Sequence, residues 1–493
     1  MAKDVIVVVQ RDALPSEKES LDILLVSTTG EYPVGTYRDV ASVEKVYGPD
    51  GPCPNAKVVR KATTLLNQGK TTLAETLISK FKIVGFEPPC ASPAMPATFI
   101  LDFTAVDLST AIPADENLWV RIGGDDKAVV EITTDAEITT TEQLATLFDS
   151  TSFMKGGKTY AAAVTGATVI YTATEAGEAD SIPERIEAFE DEIMTQQSAV
   201  LNGTTVEFTN GTNAVSAAEN LVETIKQFQS DVDNDWYYLM TDKDDDEYVT
   251  ALAKFAEASE PTEAELGAGI EDHRKFYMGQ TCNKDFVCET ARAAVIYTEE
   301  KYLSEEADAS YTGNVGPFYP ESVTWKFKRP QNGNASTSQL ISLPQLTDGE
   351  RDQLLENHVN FLTEEYKRQY VKDGTCLNGE FIDVVLGGDW IAKRMRDLLY
   401  DILLENANIN YDDAGFGLIA TAVLQALNEA VDLNIIAVDA ESKTGVFSVV
   451  IPKYTDSTEE QRRSRTMPDI TWEALLSGAI HQVKTKGVLR ASL

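Results

Sequence analysis

The chain has 493 residues, 43% of them hydrophobic, with 42 basic against 79 acidic residues and a net charge of −37. At roughly 150 residues per domain this length predicts about three domains with sizeable cores, and so acidic a balance excludes nucleic acid and anionic membrane as partners of the body as a whole. Only Lys3 precedes the first apolar run and no long uncharged apolar stretch follows, so neither a secretory leader nor a membrane span is expected and the protein reads as soluble.

Asp4–Gln10 (DVIVVVQ) is mostly β-branched and ends at the breaker run Arg11–Pro15, which predicts an N-terminal strand carrying Val5, Val7 and Val9. Leu21–Ser27 (LDILLVS) reads as a short buried strand, and Val40–Tyr47 closes at Gly48. Ala56–Asn67 is a predicted helix, because Val58, Val59, Ala62, Leu65 and Leu66 keep helical spacing and Gly69 fits a C-terminal cap. Gly69-Lys70-Thr71 invites a nucleotide reading that fails. A phosphate-binding loop needs glycine where Thr64 stands, and it follows a strand, not a helix.

Pro88, Pro89, Pro93 and Pro96 mark a boundary, after which Thr, Val and Ala dominate to about Asn210. Alternating segments predict strands at Leu118–Ile122, Ala128–Thr133 and Thr168–Thr172, with Gly123–Asp126 as a hairpin connection and one helix at Thr141–Phe148. This is the pattern of a small β-rich domain inserted into a larger one, expected on its outside. From Asn213 to Tyr311 helix and strand alternate, as in an α/β layer: helices at Val215–Phe228 and Glu247–Ala258, strands at Trp236–Met240, Lys275–Met278 and Ala293–Tyr297. Within it, Asp231–Glu247 holds eight carboxylates in seventeen residues. Asp231, Asp233 and Asp235 match the first ligands of a calcium loop, but Trp236 replaces its glycine and Asp242 its bidentate glutamate, so a solvated acidic loop is the expectation.

In the last third, Thr347 and Glu350 form a capping-box pair that opens a predicted helix with Leu355, Val359, Leu362, Tyr366 and Tyr370 on one stripe to Gly374. His358 falls on its apolar side. Phe381–Leu386 reads as a buried strand, after which Gly387, Gly388 and Asp389 start a helix with Ile391, Met395, Leu398 and Ile402 inward. A third helix, Ala414–Val431, precedes strands at Ile435–Val438 and Val446–Ile451. The folded body ends near Gly478. Beyond it His481, Val483, Thr485 and Leu489 alternate with Gln482, Lys484, Lys486 and Val488, the spacing of a strand that needs a partner earlier in the chain or in another molecule.

No catalytic constellation emerges. His273, His358 and His481 stand in no metal or triad signature, and there is no nucleophile elbow or dinucleotide loop, so no enzyme activity, cofactor or metal is expected. The five cysteines form no CxxC pair. Most are read as inert thiols; Cys53 and Cys90, beside prolines, are the candidates for a bond between subunits.

Two runs then carry a specific resemblance: Gly379–Ile419 (GEFIDVVLGGDWIAKRMRDLLYDILLENANINYDDAGFGLI) and Ile451–Leu489 (IPKYTDSTEEQRRSRTMPDITWEALLSGAIHQVKTKGVL). Both are similar to the C-terminal region of contractile tail sheath proteins of myophages, and in particular to a phage subfamily long catalogued as a domain of unknown function. Val34–Gly48 and Gly316–Pro330 agree, while the Pro93–Asn210 insert resembles the family only weakly. The resemblance implies a mixed α/β (α+β) multidomain sheath fold. Its parts would be an arm at residues 1–20, a middle domain at 21–92 and 211–340, the insert at 93–210, a core domain at 341–478 and an arm at 479–493. It further implies helical self-assembly around a tail tube, baseplate and terminator proteins at the ends, a place in the virion after assembly in the host cytoplasm, and contraction that drives the tube through the host envelope. The arms, with Val5, Val7, Val9, Ile480, Val483, Thr485 and Leu489, would add strands to neighbouring subunits. From Gln461 onward six basic residues face two acids, and Arg462, Arg463 and Arg465 are expected to meet an acidic strip on the tube or an adjacent subunit, with a solvated loop as the alternative. Two other functions stay open on the residues: host binding through the insert, and a hydrolase built on an unrecognised carboxylate pair.

Overall fold

The structure, a computed structural model, describes residues 22–68, 78, 80–115, 117–122, 128–155, 157–177, 205–209, 211–262, 274–318, 321–335 and 339–482. The chain divides into two compact units, Cys90–Asn220 and the remainder.

The main unit opens with β1 (Ile23–Ser27), β2 (Tyr32–Tyr37), α1 (Val40–Tyr47), α2 (Ala56–Leu66) and β3 (Phe81–Gly85). The second unit follows with β4 (Thr98–Asp102), β5 (Asn117–Ile122), β6 (Ala128–Thr133), α3 (Thr141–Leu147), β7 (Ser152–Lys155), β8 (Lys158–Thr165), β9 (Thr168–Ala173) and β10 (Thr205–Thr209). After α4 (Ala217–Asp231) come β11 (Tyr238–Thr241), α5 (Asp246–Ala258), β12 (Phe276–Thr281), β13 (Ala293–Tyr297) and α6 (Ala307–Val315). The last third holds α7 (Asp348–Glu356), β14 (Asn360–Glu365), β15 (Arg368–Lys372), α8 (Ile382–Glu405), α9 (Asp413–Asp432), β16 (Phe447–Val450), α10 (Glu459–Ser464) and β17 (Thr471–Ala474).

In the main unit an eight-stranded sheet runs β15-β14-β13-β12-β11-β1-β3-β2. Its six inner strands are parallel, and the edge strands β15 and β2 are antiparallel to their neighbours. Buried parallel strands read as continuous apolar runs because both faces are covered. In β1, Ile23 and Leu25 enter one core with α1, α2, α6, α8 and α9, while Leu24 and Val26 enter the other with α4, α5 and α7. The result is a three-layer α/β/α body. The expected division at residue 340 does not separate two cores, because β14, which lies beyond it, pairs in parallel with β13.

Three local expectations are corrected. The helix predicted from Thr347 to Gly374 stops at Glu356: His358 takes a left-handed φ of 55°, and the chain returns as the hairpin β14–β15 through Tyr366 and Lys367, both at positive φ. The stripe Leu355, Val359, Leu362, Tyr366 and Tyr370 is therefore shared between a helix and two strands, and His358 lies in a turn. Phe381–Leu386 is not a strand but the N-cap and first turns of α8, which runs unbroken through Gly387 and Gly388. The first of these glycines is a close-approach site, since a Cβ there would stand 2.9 Å from Ile435 Cγ2. Ile435–Val438 forms isolated bridges only. Helix α9 is long and apolar enough to cross a membrane by length and composition, but its buried residues, among them Ala422, Val423, Ala426 and Leu427, pack in the core that also holds α8.

In the second unit a five-stranded antiparallel sheet, β10-β4-β9-β8-β7, packs with α3 and the hairpin β5–β6 around Phe99, Leu101, Phe148, Phe153 and Tyr171. Phe153 and Tyr160 stack at 4.8 Å between ring centroids. Residues 123–126, read as the hairpin connection, lie outside the described residues.

Candidate assembly surface

A doubly wound parallel sheet offers a crevice at the carboxyl ends of its strands where the strand order reverses. Here that point lies between β1 and β11, and the chain's own side chains fill it. Asp242, directly after β11, accepts from the Thr28 amide and hydroxyl, both at 2.9 Å, and from Asn55 Nδ2 at 2.5 Å. Beside it Lys61 of α2 is fully buried and contacts Asp308, with Asp244 at 3.5 Å and Glu306 at 3.7 Å. Burial alone would lower the Lys61 pKa, but Asp308, Asp244 and Glu306 outweigh it and raise it. Glu306, held at a left-handed φ of 51° and bonded to Arg60 at 2.9 Å, is pushed up to about 7 by burial.

Much of the acidic stretch is therefore bonded into the body, not solvated as expected. Lys82 holds Asp233 at 2.8 Å and Asp235 at 3.3 Å, and Asp246 accepts from Thr281 at 2.7 Å and Asn283 at 2.6 Å. The partners come from distant strands and helices, so composition alone gave no sign of them. Across the sheet, Arg292 makes a two-pronged pair with Asp389 of α8 (2.9 and 2.8 Å), and the Tyr237 hydroxyl donates to the same carboxylate. Burial raises the Asp389 pKa against the pull of Arg292. Sequence reading missed Lys61, Glu306, Asp308, Arg292 and Asp389; the one available signal was a lysine on the apolar stripe of α2.

The C-terminal part of the main unit is built differently. β16 and β17 form a two-stranded antiparallel ribbon, pairing Phe447 with Ala474 through Val450 with Thr471. Phe447, Val449, Trp472 and Ala474 rest half-buried on the main core, while Ser448, Val450, Thr471 and Glu473 face outward. The base of the ribbon is fixed to the chain leaving α9: Ala437 donates to Leu475 and Ser477 to Ile435. Among the described residues no third strand pairs with either edge. Around it lie exposed apolar side chains, Val450 at 64%, Leu475 at 59% and Ile480 at 77% of full exposure. A strand edge with unpaired backbone groups beside exposed apolar residues can bind another strand without much regard to its sequence.

Of the residues read as strand arms, Ile480 is described and exposed, in a stretch without strand pairing; Val5, Val7, Val9, Val483, Thr485 and Leu489 lie outside the described residues. His273 does too. Arg462 and Arg463 sit on α10, which a Thr458–Gln461 capping box opens, where a loop was the alternative. Arg462 lies over the Tyr454 ring at 5.5 Å, Arg463 approaches Glu459 at 3.6 Å, and Arg465 ends the helix at φ 57°. Arg463 and Arg465 are exposed. Cys53 is buried and donates to the Gly30 carbonyl at 3.1 Å, so this fold closes it to another subunit; Cys90 is exposed, and neither is in a disulfide.

Just past the ribbon, His481 returns to the body. Its Nε2 lies 2.8 Å from Thr324 Oγ1, and its ring stands edge-on to Phe381 at 4.7 Å and Phe327 at 6.3 Å. Burial and the neighbouring Lys326 ammonium lower its pKa, against the pull of Asp373.

No protein-family profile matches the chain, and no curated protein does. Solved structures do. It is similar to the helical sheath of the anti-feeding prophage in the contracted state at 12% identity and a TM-score of 0.46, covering 99% of this chain and 98% of that one. It is similar to the sheath tail protein of Desulfitobacterium hafniense at 11% identity and a TM-score of 0.40, covering 90% and 93%. A chain of the anti-feeding prophage baseplate matches at 14% identity and a TM-score of 0.41, over 57% of this chain and 76% of that one. These three structures are a helical sheath, a sheath tail protein and a baseplate chain.

Proposed function

We propose that the chain is the structural subunit of a contractile tail sheath, which polymerises helically around a tail tube and contracts to drive it through a host envelope. The observation that carries this reading is the two-stranded ribbon β16–β17, with which no third strand pairs among the described residues, set in the segment that resembles sheath proteins. Strands supplied by neighbouring copies, from Val5–Val9 and from Ile480–Leu489, would complete it, and such head-to-tail contacts repeat without closing into a ring. Bodies so tethered can slide and repack while the main-chain bonds persist. Baseplate and terminator proteins would cap the ends, and the particle would assemble in the host cytoplasm and act as part of the virion. The proposal involves no catalytic step, cofactor or metal.

Negative-stain microscopy of the purified full chain, beside a chain ending at Gly478, tests it. The full chain is expected to form long hollow cylinders and the shortened one to stay folded and unassembled. A full chain that stays monomeric at all concentrations and salts overturns the sheath reading. Normal cylinders from the shortened chain overturn the role of the arm.

A further inference from the structure

The segment after the ribbon is held at a second point. From Ser477, whose amide donates to the Ile435 carbonyl at 2.9 Å, the chain passes the exposed Ile480 and then enters the slot between Thr324, Phe327 and Phe381. The walls of that slot are fixed. Thr324 Oγ1 also accepts the Lys326 amide at 3.2 Å, and Lys326 Nζ bonds Asp373 at 3.2 Å. Phe327 has a left-handed φ of 64°, and its amide donates to the Val371 carbonyl at 3.1 Å; Phe381 is the N-cap of α8. Gly374, at φ +75°, lets the backbone pass so close that a Cβ would stand 2.5 Å from the Lys326 amide nitrogen. Strained backbone and surface aromatics kept in place by tertiary contacts are the marks of a site held for a purpose.

We propose that this slot is the seat of the C-terminal segment and that His481 is its positioning residue, setting where and in which direction the residues after 482 leave the body toward a second copy. That destination rests on the sheath reading; the seat itself does not. Anchoring at His481 places the origin of the arm beyond the ribbon, which raises the effective concentration of the arm at its acceptor. Part of the ordering cost of strand addition is then met before the neighbour arrives. The charges acting on the imidazole are Lys326 and Asp373. Because the folded protein favours the neutral ring, the seat is at full strength above the unfolded histidine value of 6.5 and weakens as pH falls through the lower folded value.

The test uses the full chain, kept dilute and unassembled, as wild type, His481→Ala and His481→Gln, with melting temperatures to confirm that each variant folds. Trypsin cleavage after Lys484 and Lys486 is followed at neutral pH. His481→Ala is expected to be cut about tenfold faster, the factor set by losing one hydrogen bond and an edge-on ring contact, and His481→Gln, whose amide can still bond Thr324, to recover most of the protection. Histidine NMR of the wild type is expected to show a His481 resonance titrating below 6.5, absent in His481→Gln and moved in Thr324→Val. Equal cleavage rates in wild type and His481→Ala, or an unmoved titration in Thr324→Val, overturn the seat. Cylinder formation is scored separately: a wild type that shows the seat but never assembles sinks the sheath reading alone.

Discussion

The eight-stranded body and the two-stranded ribbon belong to one unit, yet they treat their polar groups in opposite ways. The body buries charges and answers them with partners inside the chain, as at Lys61 with Asp308 and Arg292 with Asp389. Among the described residues the ribbon pairs with no third strand along either edge, and it exposes Val450 and Leu475 beside them. A domain that has satisfied its own hydrogen bonds has little to offer a neighbour, whereas an open edge keeps that capacity for association. Rigidity and assembly are therefore assigned to different parts of one unit.

Substitutions should separate the two. Asp389→Ala leaves the Arg292 guanidinium buried without its carboxylate and is expected to cost about 3–5 kcal/mol in urea unfolding; a loss below about 1 kcal/mol would mean that the body does not depend on this pair. Next is pH. The folded value of about 7 for Glu306, above its ordinary 4.5, means that the fold favours the protonated acid. Its contribution is complete below pH 4.5 and is lost as pH rises through about 7. The difference in stability between wild type and Glu306→Gln should therefore change by about 3 kcal/mol over that interval, and a constant difference would contradict a buried, partly neutral Glu306.

Changes in the ribbon should spare the body. Trp472 is only half-buried on the core, so Trp472→Ala is expected to cost about 2 kcal/mol, less than a fully buried tryptophan, while assembly suffers more than stability does. Unchanged cylinders from this variant would show that the ribbon is not the acceptor. Smallest is Arg463→Glu, which removes an exposed pair with Glu459 and should shift stability by no more than about 0.5 kcal/mol. Its expected effect is on the salt dependence of assembly, and identical salt curves would assign this arginine to solvent alone.

Periodicity identified α2, α9 and the buried strands β1 and β13, because each is long or apolar enough for local spacing to specify it. Spacing also marked the half-buried alternation around β16. It failed between Thr347 and Leu386, where a helical stripe and a hairpin share the same apolar residues and only pairing with β13 selects the strands. The glycine pair at 387 and 388 looked like a break because the partner that Gly387 admits, Ile435, lies nearly fifty residues later, which no local rule can see.

By itself, then, the sequence determined an acidic chain of alternating helices and strands with an inserted β-rich segment. Composition and local spacing are enough for that, since amphipathic period and breaker residues act over a few positions. Only the tertiary structure decided that the acidic stretch is clamped by Lys57, Lys61 and Lys82, that Cys53 is closed off, and that His481 lies against Thr324. Each of these joins residues far apart in sequence, and the energy of a buried charge or a ring in a slot depends on what the fold brings within about 4 Å of it.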